Sequence, residues 1–441
     1  MRPGPPPAGQ LLRGSATDSC GQSTALGTSH DKGRAAMGLR KADDTRSTVL
    51  GPVVRFLKEE TTGGYLLLGA VMVALAVANS PASSAYEGLW TTKLSIGPGP
   101  LAITEDLRHW INDGLMTLFF FVVGLEIKRE LVRGELRDRR TAALPAIAAV
   151  GGVVLPALTF LVISGGGERG AGWGIPIATD IAFAVGVLAA LGDRVPSGAK
   201  LLLLSIAIVD DILAIAVIAV FYSSHLAPGW LAAAGAGLVL VLALRAGGVR
   251  TIWPYVVTAL GVWYATHESG VHATIAGVAL ALLTPARPFR GRDVLGELES
   301  RLHPVTAFVV VPAFALANAG VDLRGTALPE AAGSRIAWGV AAGLLLGKTL
   351  GIGIAASVAV RARVGSLPCG LSLGNVWGIA ALAGIGFTVS LFIAGLAYHD
   401  PASVEQAKIG IFAGSLAGGV IGAALLTRST SAETRERAAS R

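Results

Sequence analysis

The chain has 441 residues, of which 52% are hydrophobic and only 15% are charged. This composition excludes an ordinary water-soluble protein of this length and indicates a polytopic membrane protein. With only two cysteines, Cys20 and Cys369, the chain has neither a disulfide framework nor a thiolate metal site. The net charge is +7, but the basic residues are scattered between apolar segments and do not form one basic surface. No nucleic-acid partner is therefore predicted.

The two ends of the chain differ from its middle in composition. Residues 1–55 are rich in Pro, Gly, Ser and mixed charges and lack the apolar run of a signal peptide, so we expect a disordered cytoplasmic tail. Residues 428–441 form a short polar tail that we interpret in the same way. The predicted membrane domain covers residues 56–427.

Between the tails lie apolar segments of the length that crosses a bilayer, about 20 residues each. The sequence predicts an all-α protein with twelve of them, the seventh and eighth being short: Gly63–Ser80, Trp110–Ile127, Ala142–Ile163, Trp173–Leu191, Leu201–Tyr222, Gly229–Leu244, Ile252–Ala265, Val271–Leu283, Val305–Ala319, Ile336–Val360, Ala380–Ala397 and Ile409–Leu426. Loops on the side of the termini carry sixteen Lys and Arg residues and the opposite loops carry six. The positive-inside rule therefore predicts that both termini are cytoplasmic.

The first outside loop contains TTKLSIGPGPLAIT, two short β-type runs around a Gly-Pro-Gly turn. The pattern fits a β-hairpin and an irregular loop equally well.

Two adjacent acidic residues, Asp210 and Asp211, lie in the middle of the fifth segment. Each central Asp costs about 2.5–3.5 kcal/mol on insertion, so the pair needs a function or a compensating partner. Asp180 in the fourth segment and Lys348 in the tenth lie at a similar depth. Helix packing is expected to bring the four charges into one cavity. The alternative is a structural ion pair or a water-filled seam.

The stretch Gly347-Lys348-Thr349 resembles the end of a phosphate-binding loop, but Ala342 stands where that motif requires glycine. Gly343, Gly347 and Gly351 recur every four residues, which favours a smooth face for close helix packing. No zinc motif or nucleophile signature occurs, so no cofactor is predicted.

Segments four and eleven both look prone to break inside the membrane. Pro176 and Thr179 precede Asp180 in the fourth, and the eleventh contains GIGFTVS. Seven crossings separate them, so they run in opposite directions, which is typical of an inverted-repeat transporter with a site at the midplane. Asp180 is expected to offset the facing half-helix N-termini and Lys348 the facing C-termini. The alternative for either segment alone is a simple kink.

The second segment ends in FFFVVGLEIKRELVRGELRDRR, where Glu126, Arg129, Glu130 and Arg133 follow helical spacing. This pattern also fits a solvated helix end with positive-inside arginines.

Taken together, the motifs resemble the NhaA family of sodium/proton antiporters from about residue 60 to 426. They occur in the family's order and spacing: FFFVVGLEIKREL, IPIATDIAFAVGVLAALGDRVP, LSIAIVDDILAI, SGVHATIAGV, FALANAGV, GLLLGKTLGI and GIGFTVSLFIAG. The resemblance implies a secondary transporter rather than an enzyme, located in the bacterial inner membrane and forming a homodimer through the hairpin.

The resemblance also implies roles for individual residues. Asp210 and Asp211 would bind transported Na+ (or Li+) and protons alternately, with Asp211 the favoured cation ligand. Thr179 and Asp180 would lie near that site, and Lys348 would balance charge and pair with Asp210.

A second group of residues would link activity to alkaline pH: Glu126, Arg129, Glu130, Arg133, Glu299 and His303. The chain reads LESRLHP where family members read LEHxLHP, with Ser300 at the first His. This departure puts the pH set-point in doubt.

The resulting hypothesis is an electrogenic, pH-regulated antiporter that expels sodium by alternating access, exchanging two protons for one Na+. Burial and a second negative charge nearby both favour the protonated carboxyl, so protons compete with Na+. An intramembrane aspartyl protease using Asp180 and Asp211 would need a GxGD-type context, which IATD and IVDD lack. A symporter of the same fold would need groups for an organic substrate, and none stand out.

Overall fold

The computed structural model describes residues 62–97, 99, 102–223, 226–289, 291–325, 327–368 and 370–439. The predicted N-terminal tail, residues 1–55, lies outside the described residues, as does Cys369. The described chain is mostly helical, with a single small sheet.

The first half contains seven α-helices and, among its 3-10 helices, one of eleven residues, Gly167–Ile177. The α-helices are α1 Thr62–Ala78, α2 Ser83–Trp90, α3 Leu107–Arg133, α4 Arg139–Ser164, α5 Ile181–Leu191, α6 Ser197–Phe221 and α7 Pro228–Ala246. The second half contains α8 Trp253–Glu268, α9 Thr274–Leu283, α10 Val294–Asn318, α11 Ala327–Gly333, α12 Arg335–Arg361, α13 Leu373–Leu382, α14 Phe387–Ala397 and α15 Pro401–Ala439.

Among the described residues, seven helices are long and apolar enough to cross a membrane, or ten if each of three bent pairs counts as one crossing. Their outward faces are apolar: Val162, Val220 and Leu416 are 83%, 70% and 71% exposed. Large exposed apolar surface of this kind fits a lipid environment. The predicted seventh and eighth segments are helical but short, at 16 and 10 residues, so the count of twelve crossings stays a prediction.

The first outside loop forms a β-hairpin. Strand β1, Lys93–Ile96, pairs antiparallel with β2, Ile103–Asp106, in the register Lys93↔Asp106 to Ile96↔Ile103. Every residue of β1 is exposed. Of the two interpretations that the sequence left open, the hairpin is the observed one.

Two helices are longer than the apolar pattern indicated. Helix α10 begins at Val294, eleven residues before the predicted Val305, because the amphipathic stretch VLGELESRLHP continues the helix. Helix α15 runs on to Ala439, so the interpretation of residues 428–439 as a tail without regular structure was wrong. Ala, Glu and Arg are strong helix formers and no Pro or Gly interrupts this stretch, so polar composition alone did not end the helix.

The glycine face of α12 packs against its neighbours as predicted. A Cβ atom at Gly351 would lie 2.2 Å from the carbonyl oxygen of Gly151 in α4, and one at Gly347 would lie 2.5 Å from the Cα atom of Pro156. These backbones approach so closely that only glycine fits. Lys348 projects from this tightly packed helix, which fixes its depth.

The two predicted helix breaks are also observed. The 3-10 helix Gly167–Ile177 meets α5 at 45°, and α13 meets α14 at 48°. The connecting residues 178–180 and 383–386 are not helical. These two breaks carry the candidate site.

Candidate site for cation exchange at the crossing of two broken helices

The carboxylate of Asp180 joins the N-termini of the two half-helices. Asp180 caps α5, since Oδ1 accepts a hydrogen bond from the Phe183 N–H at 3.1 Å. Its other oxygen, Oδ2, accepts from the Thr388 N–H at 3.0 Å and from the Thr388 hydroxyl at 2.7 Å, in the first turn of α14. One negative charge thereby faces the positive ends of two helix dipoles, as the sequence predicted.

Further hydrogen bonds hold the two breaks together. The N–H of Asp180 donates to the Ile385 carbonyl at 2.6 Å, from one non-helical connection to the other. The Ser390 hydroxyl in α14 donates to the Ile175 carbonyl at 2.7 Å. The sequence indicated Ser390 only as part of the break motif GIGFTVS, because its partner is a carbonyl 215 residues away.

A second polar group forms around Lys348. Its ammonium donates to Oδ2 of Asp210 and, at 3.1 Å, to the Thr179 hydroxyl. That hydroxyl lies 2.7 Å from Asp210 Oδ2 and 2.8 Å from the carbonyl oxygen of Ala383, which follows the end of α13. The side chains of Lys348 and Asp210 are both completely buried. The pairing expected from the resemblance is therefore observed, and it reaches the half-helix C-terminus through Thr179.

Asp211 lies in a different environment from its neighbour. It lines a cavity of about 70 Å³ together with Asp180, Thr179 and Thr388. Within the described residues, the Asp211 carboxylate accepts no hydrogen bond. Because adjacent residues on a helix point about 100° apart, Asp210 contacts the cation of Lys348 while Asp211 faces the cavity. The four predicted charges are thus brought together, but in two unequal pairs.

The amino-acid sequence has known relatives. The model of the family described as Na+/H+ antiporter 1 matches residues 54–426. Na(+)/H(+) antiporter NhaA 3 of Frankia alni is 46% identical over 426 residues, covering 89% of this chain and 91% of the relative. The NhaA antiporters of Bordetella parapertussis and Shewanella loihica are 46% and 45% identical, covering 84% and 83% of this chain and 95% and 94% of the relatives.

The chain belongs to the NhaA family of Na+/H+ antiporters. It is a multi-pass membrane transporter and not an enzyme, and the family resemblance seen in its motifs is confirmed. The aspartyl protease alternative is thereby excluded. The roles of individual residues remain predictions, which the site geometry supports to different degrees.

The residues that were predicted to link activity to pH include four near the C-terminal end of α3. Arg129 pairs with Glu130 at 3.1 Å and with the buried Glu299 of α10. Glu126 and His303 line the cavity that also contains Asp211. Of the six residues predicted to link activity to pH, Glu126 and His303 therefore line the cavity, and Arg129, Glu130 and Glu299 form an ion-paired group on the same two helices.

Arg133 instead makes a two-pronged contact with Asp293, at 2.7 and 2.9 Å. Asp293 caps the N-terminus of α10, a role that its position before VLGEL would have revealed. The Arg133 guanidinium holds the pKa of Asp293 below its usual range. Asp293 is therefore ionised throughout the working pH range of a bacterial antiporter and does not respond to pH there.

Replacing Lys348 with Gln should destabilise the antiporter in a pH-dependent manner. Removing one partner of a buried ion pair costs about 3–5 kcal/mol. Because Asp210 relieves this cost by taking up a proton at low pH, the melting temperature in detergent should fall more at about pH 8.5 than at about pH 6. The double variant Asp210→Asn/Lys348→Gln should recover most of the loss.

The exposed hairpin residue Lys93 provides the control, since Lys93→Gln should leave the melting temperature unchanged. An equal loss at both pH values, or a double variant no more stable than Lys348→Gln alone, would contradict a charged pair at this site.

Proposed function

We propose that the antiporter exchanges one Na+ (or Li+), bound at Asp211, for two protons, one carried by Asp211 and one by the supporting pair of Asp210 and Lys348. The observation that carries this proposal is the unequal setting of the two aspartates. Asp211 faces the cavity without a hydrogen-bond donor, whereas Asp210 is buried against an ammonium. A carboxylate that lacks internal partners is the one available to a cation or a proton.

The competition between the two ions follows from burial. A carboxylate removed from water is favoured in its protonated form unless a cation replaces the lost hydration. Na+ binding at Asp211 therefore displaces a proton, and the hydroxyls of Thr179 and Thr388, which line the same cavity, are suitable further oxygen ligands. The proton shared within the Asp210–Lys348 pair supplies the second exchangeable proton.

The exchange moves one net positive charge inward per cycle, so the membrane potential drives sodium out. The two broken helices form the moving part in this proposal, because their crossing is tied internally by Asp180, Thr388 and Ser390. Rocking of this unit against the helices that line the cavity would expose Asp211 to one side and then to the other.

Asp211→Asn should abolish exchange. In everted vesicles with a respiration-generated pH gradient, Na+ or Li+ should dissipate the gradient through the wild type between about pH 6.5 and 9 and not through the variant, since the amide neither binds nor releases a proton. Asp400→Asn is a matched control, because Asp400 caps α15 from an exposed position. A wild type that does not respond to either cation would contradict the proposed function.

We propose further that protonation at the cavity mouth regulates exchange. Glu299 is buried against Arg129, and His303 is buried beside the cavity lined by Glu126 and Asp211. Charge changes here act on the cation path and on the contact between α3 and α10.

Glu299→Gln should move the pH profile of exchange downward by about one unit, because the groups beside it lose their protons at lower pH once a negative charge is removed, and a neighbouring charge shifts titration by this order. The same vesicle assay at several pH values measures the shift. Asp293→Asn breaks the adjacent ion pair without removing a group that titrates in this range, so its profile should coincide with that of the wild type. If both variants shift the profile equally, disruption of the helix contact rather than titration is responsible.

The hairpin side is proposed to face outward, with both termini cytoplasmic, and the hairpin is proposed as the contact of a homodimer. The exposed edge of β1 supports this, since Leu94 and Ile96 are 41% and 51% exposed. Unpaired strand edges with apolar side chains readily pair with another copy.

A cysteine introduced at the exposed Ser95, in a chain with Cys20 and Cys369 replaced by Ser, should test both points. A membrane-impermeant bifunctional thiol reagent added to intact cells should produce a covalent dimer, because two hairpins bring the thiols together. Cross-linking only after cell lysis would contradict the orientation, and monomers in both conditions would contradict the dimer contact.

A further inference from the structure

The start of α3 contains a carboxylate that the exchange mechanism does not use. Asp113 lies in a π-helical segment, Trp110–Leu115. Such segments are rare and frequently occur at functional sites. The widened turn is held by Trp263 of α8, whose indole N–H lies 3.2 Å from the Asp113 carbonyl oxygen and 3.1 Å from the Thr117 hydroxyl. The position of Asp113 is therefore fixed against α8.

The side chain of Asp113 faces a histidine on α8. Its Oδ2 lies 3.6 Å from Nδ1 of His267, and the two side chains are 22% and 24% exposed. The imidazole stacks on Trp263 at 5.9 Å, and Trp263 stacks on Trp110 at 6.2 Å. The stacked rings leave His267 little rotational freedom. A titrating imidazole is thus held beside a partly buried carboxylate.

The charged groups that face this pair are mostly acidic. Glu105 of β2 and Glu268 at the end of α8 act on His267, and His272 lies near both His267 and Asp113. Among the described groups that act on His267, these three carboxylates have no cationic counterpart when both imidazoles are neutral. Protonation of His267 places a positive charge beside the Asp113 carboxylate.

An aromatic barrier separates this group from the cation cavity. Phe392 of α14 contacts Phe120, Phe314 and His272, with ring centroids 5.5, 6.4 and 6.2 Å apart. Along α3, Asp113 precedes Glu126 by thirteen residues, or about 20 Å, and Phe120 lies between them. Glu126 lines the cavity, so Asp113 belongs to the opposite, hairpin end of the transport path.

We propose that Asp113 and His267 form a proton-responsive entrance for cations on the hairpin side of the antiporter. At acidic outer pH, His267 is protonated. Its positive charge then balances the negative charge of Asp113, so the pair no longer attracts cations. As the outer pH rises, the imidazole releases its proton to the outer water, and the carboxylate then attracts protons and Na+ from that side. This inference rests on the proposed exchange at Asp211 and on the proposed orientation.

The two sides of the membrane can be titrated separately. Right-side-out vesicles expose the hairpin side to the medium and everted vesicles expose the opposite side, and Na+ flux is measured in each while only the medium pH is varied. His267→Leu removes the titrating cation beside Asp113, so in right-side-out vesicles the midpoint should move by about one unit toward acid. Asp113→Asn should instead keep the flux low at alkaline pH. In everted vesicles both profiles should match that of the wild type.

His109→Gln is the matched control, because it removes an exposed His–Asp pair, His109–Asp106, near the hairpin. It should leave both profiles unchanged. The inference is overturned if the two test variants leave the pH profile of right-side-out vesicles unshifted, or if they shift the profiles of right-side-out and everted vesicles equally. It is also overturned if His109→Gln shifts the right-side-out profile. Absence of Na+ flux in the wild type would instead contradict the proposed function, which keeps the two failures distinguishable.

Discussion

The structure depends on internal partners for the helix ends and for the Lys348 charge that lie inside an apolar protein. Two helices are interrupted at the same place, so four half-helix ends meet within the bundle. Asp180 binds the N–H groups at the two N-termini, and Thr179 binds the carbonyl of Ala383 at one C-terminus. Without these partners, each free backbone group in a dry interior costs several kcal/mol, and the interruption would not persist.

This constraint also explains why the adjacent aspartates differ. Asp210 is needed to balance Lys348, which enters a helix interface so closely packed that its ammonium has no access to water. Asp211 projects about 100° away on the same helix and reaches the cavity instead. A single aspartate in this position could either neutralise Lys348 or face the cavity that the transported ion enters. Two adjacent aspartates allow both.

The groups outside the site that matter for the proposals are distributed along α3. Its start carries Asp113 beside His267, its middle contributes Phe120 to the aromatic barrier, and its end carries the arginines that contact α10. One helix therefore connects both entrances of the proposed path with the barrier between them. The π-helical turn at its start and the ion pairs at its end keep the two ends in different environments.

Periodicity, intramembrane charges and turn residues were sufficient to predict the helical membrane architecture, the two breaks, the glycine face of α12 and the gathering of Asp180, Asp210, Asp211 and Lys348. These features are local, because the cost of a charge or a break in an apolar segment can be read from that segment alone. The same local reading did not single out Asp113, and it ended α15 too early because polarity was given more weight than helix propensity.

The sequence by itself therefore determined which residues had to find partners, but only the tertiary structure decided which partners they found. Three contacts join residues that are far apart along the chain: Ser390 with Ile175, His267 with Asp113, and Lys348 with Asp210 rather than Asp211. The rotation of each helix about its axis selects among such pairs. That rotation is fixed by packing against several neighbours at once, and no single segment encodes it.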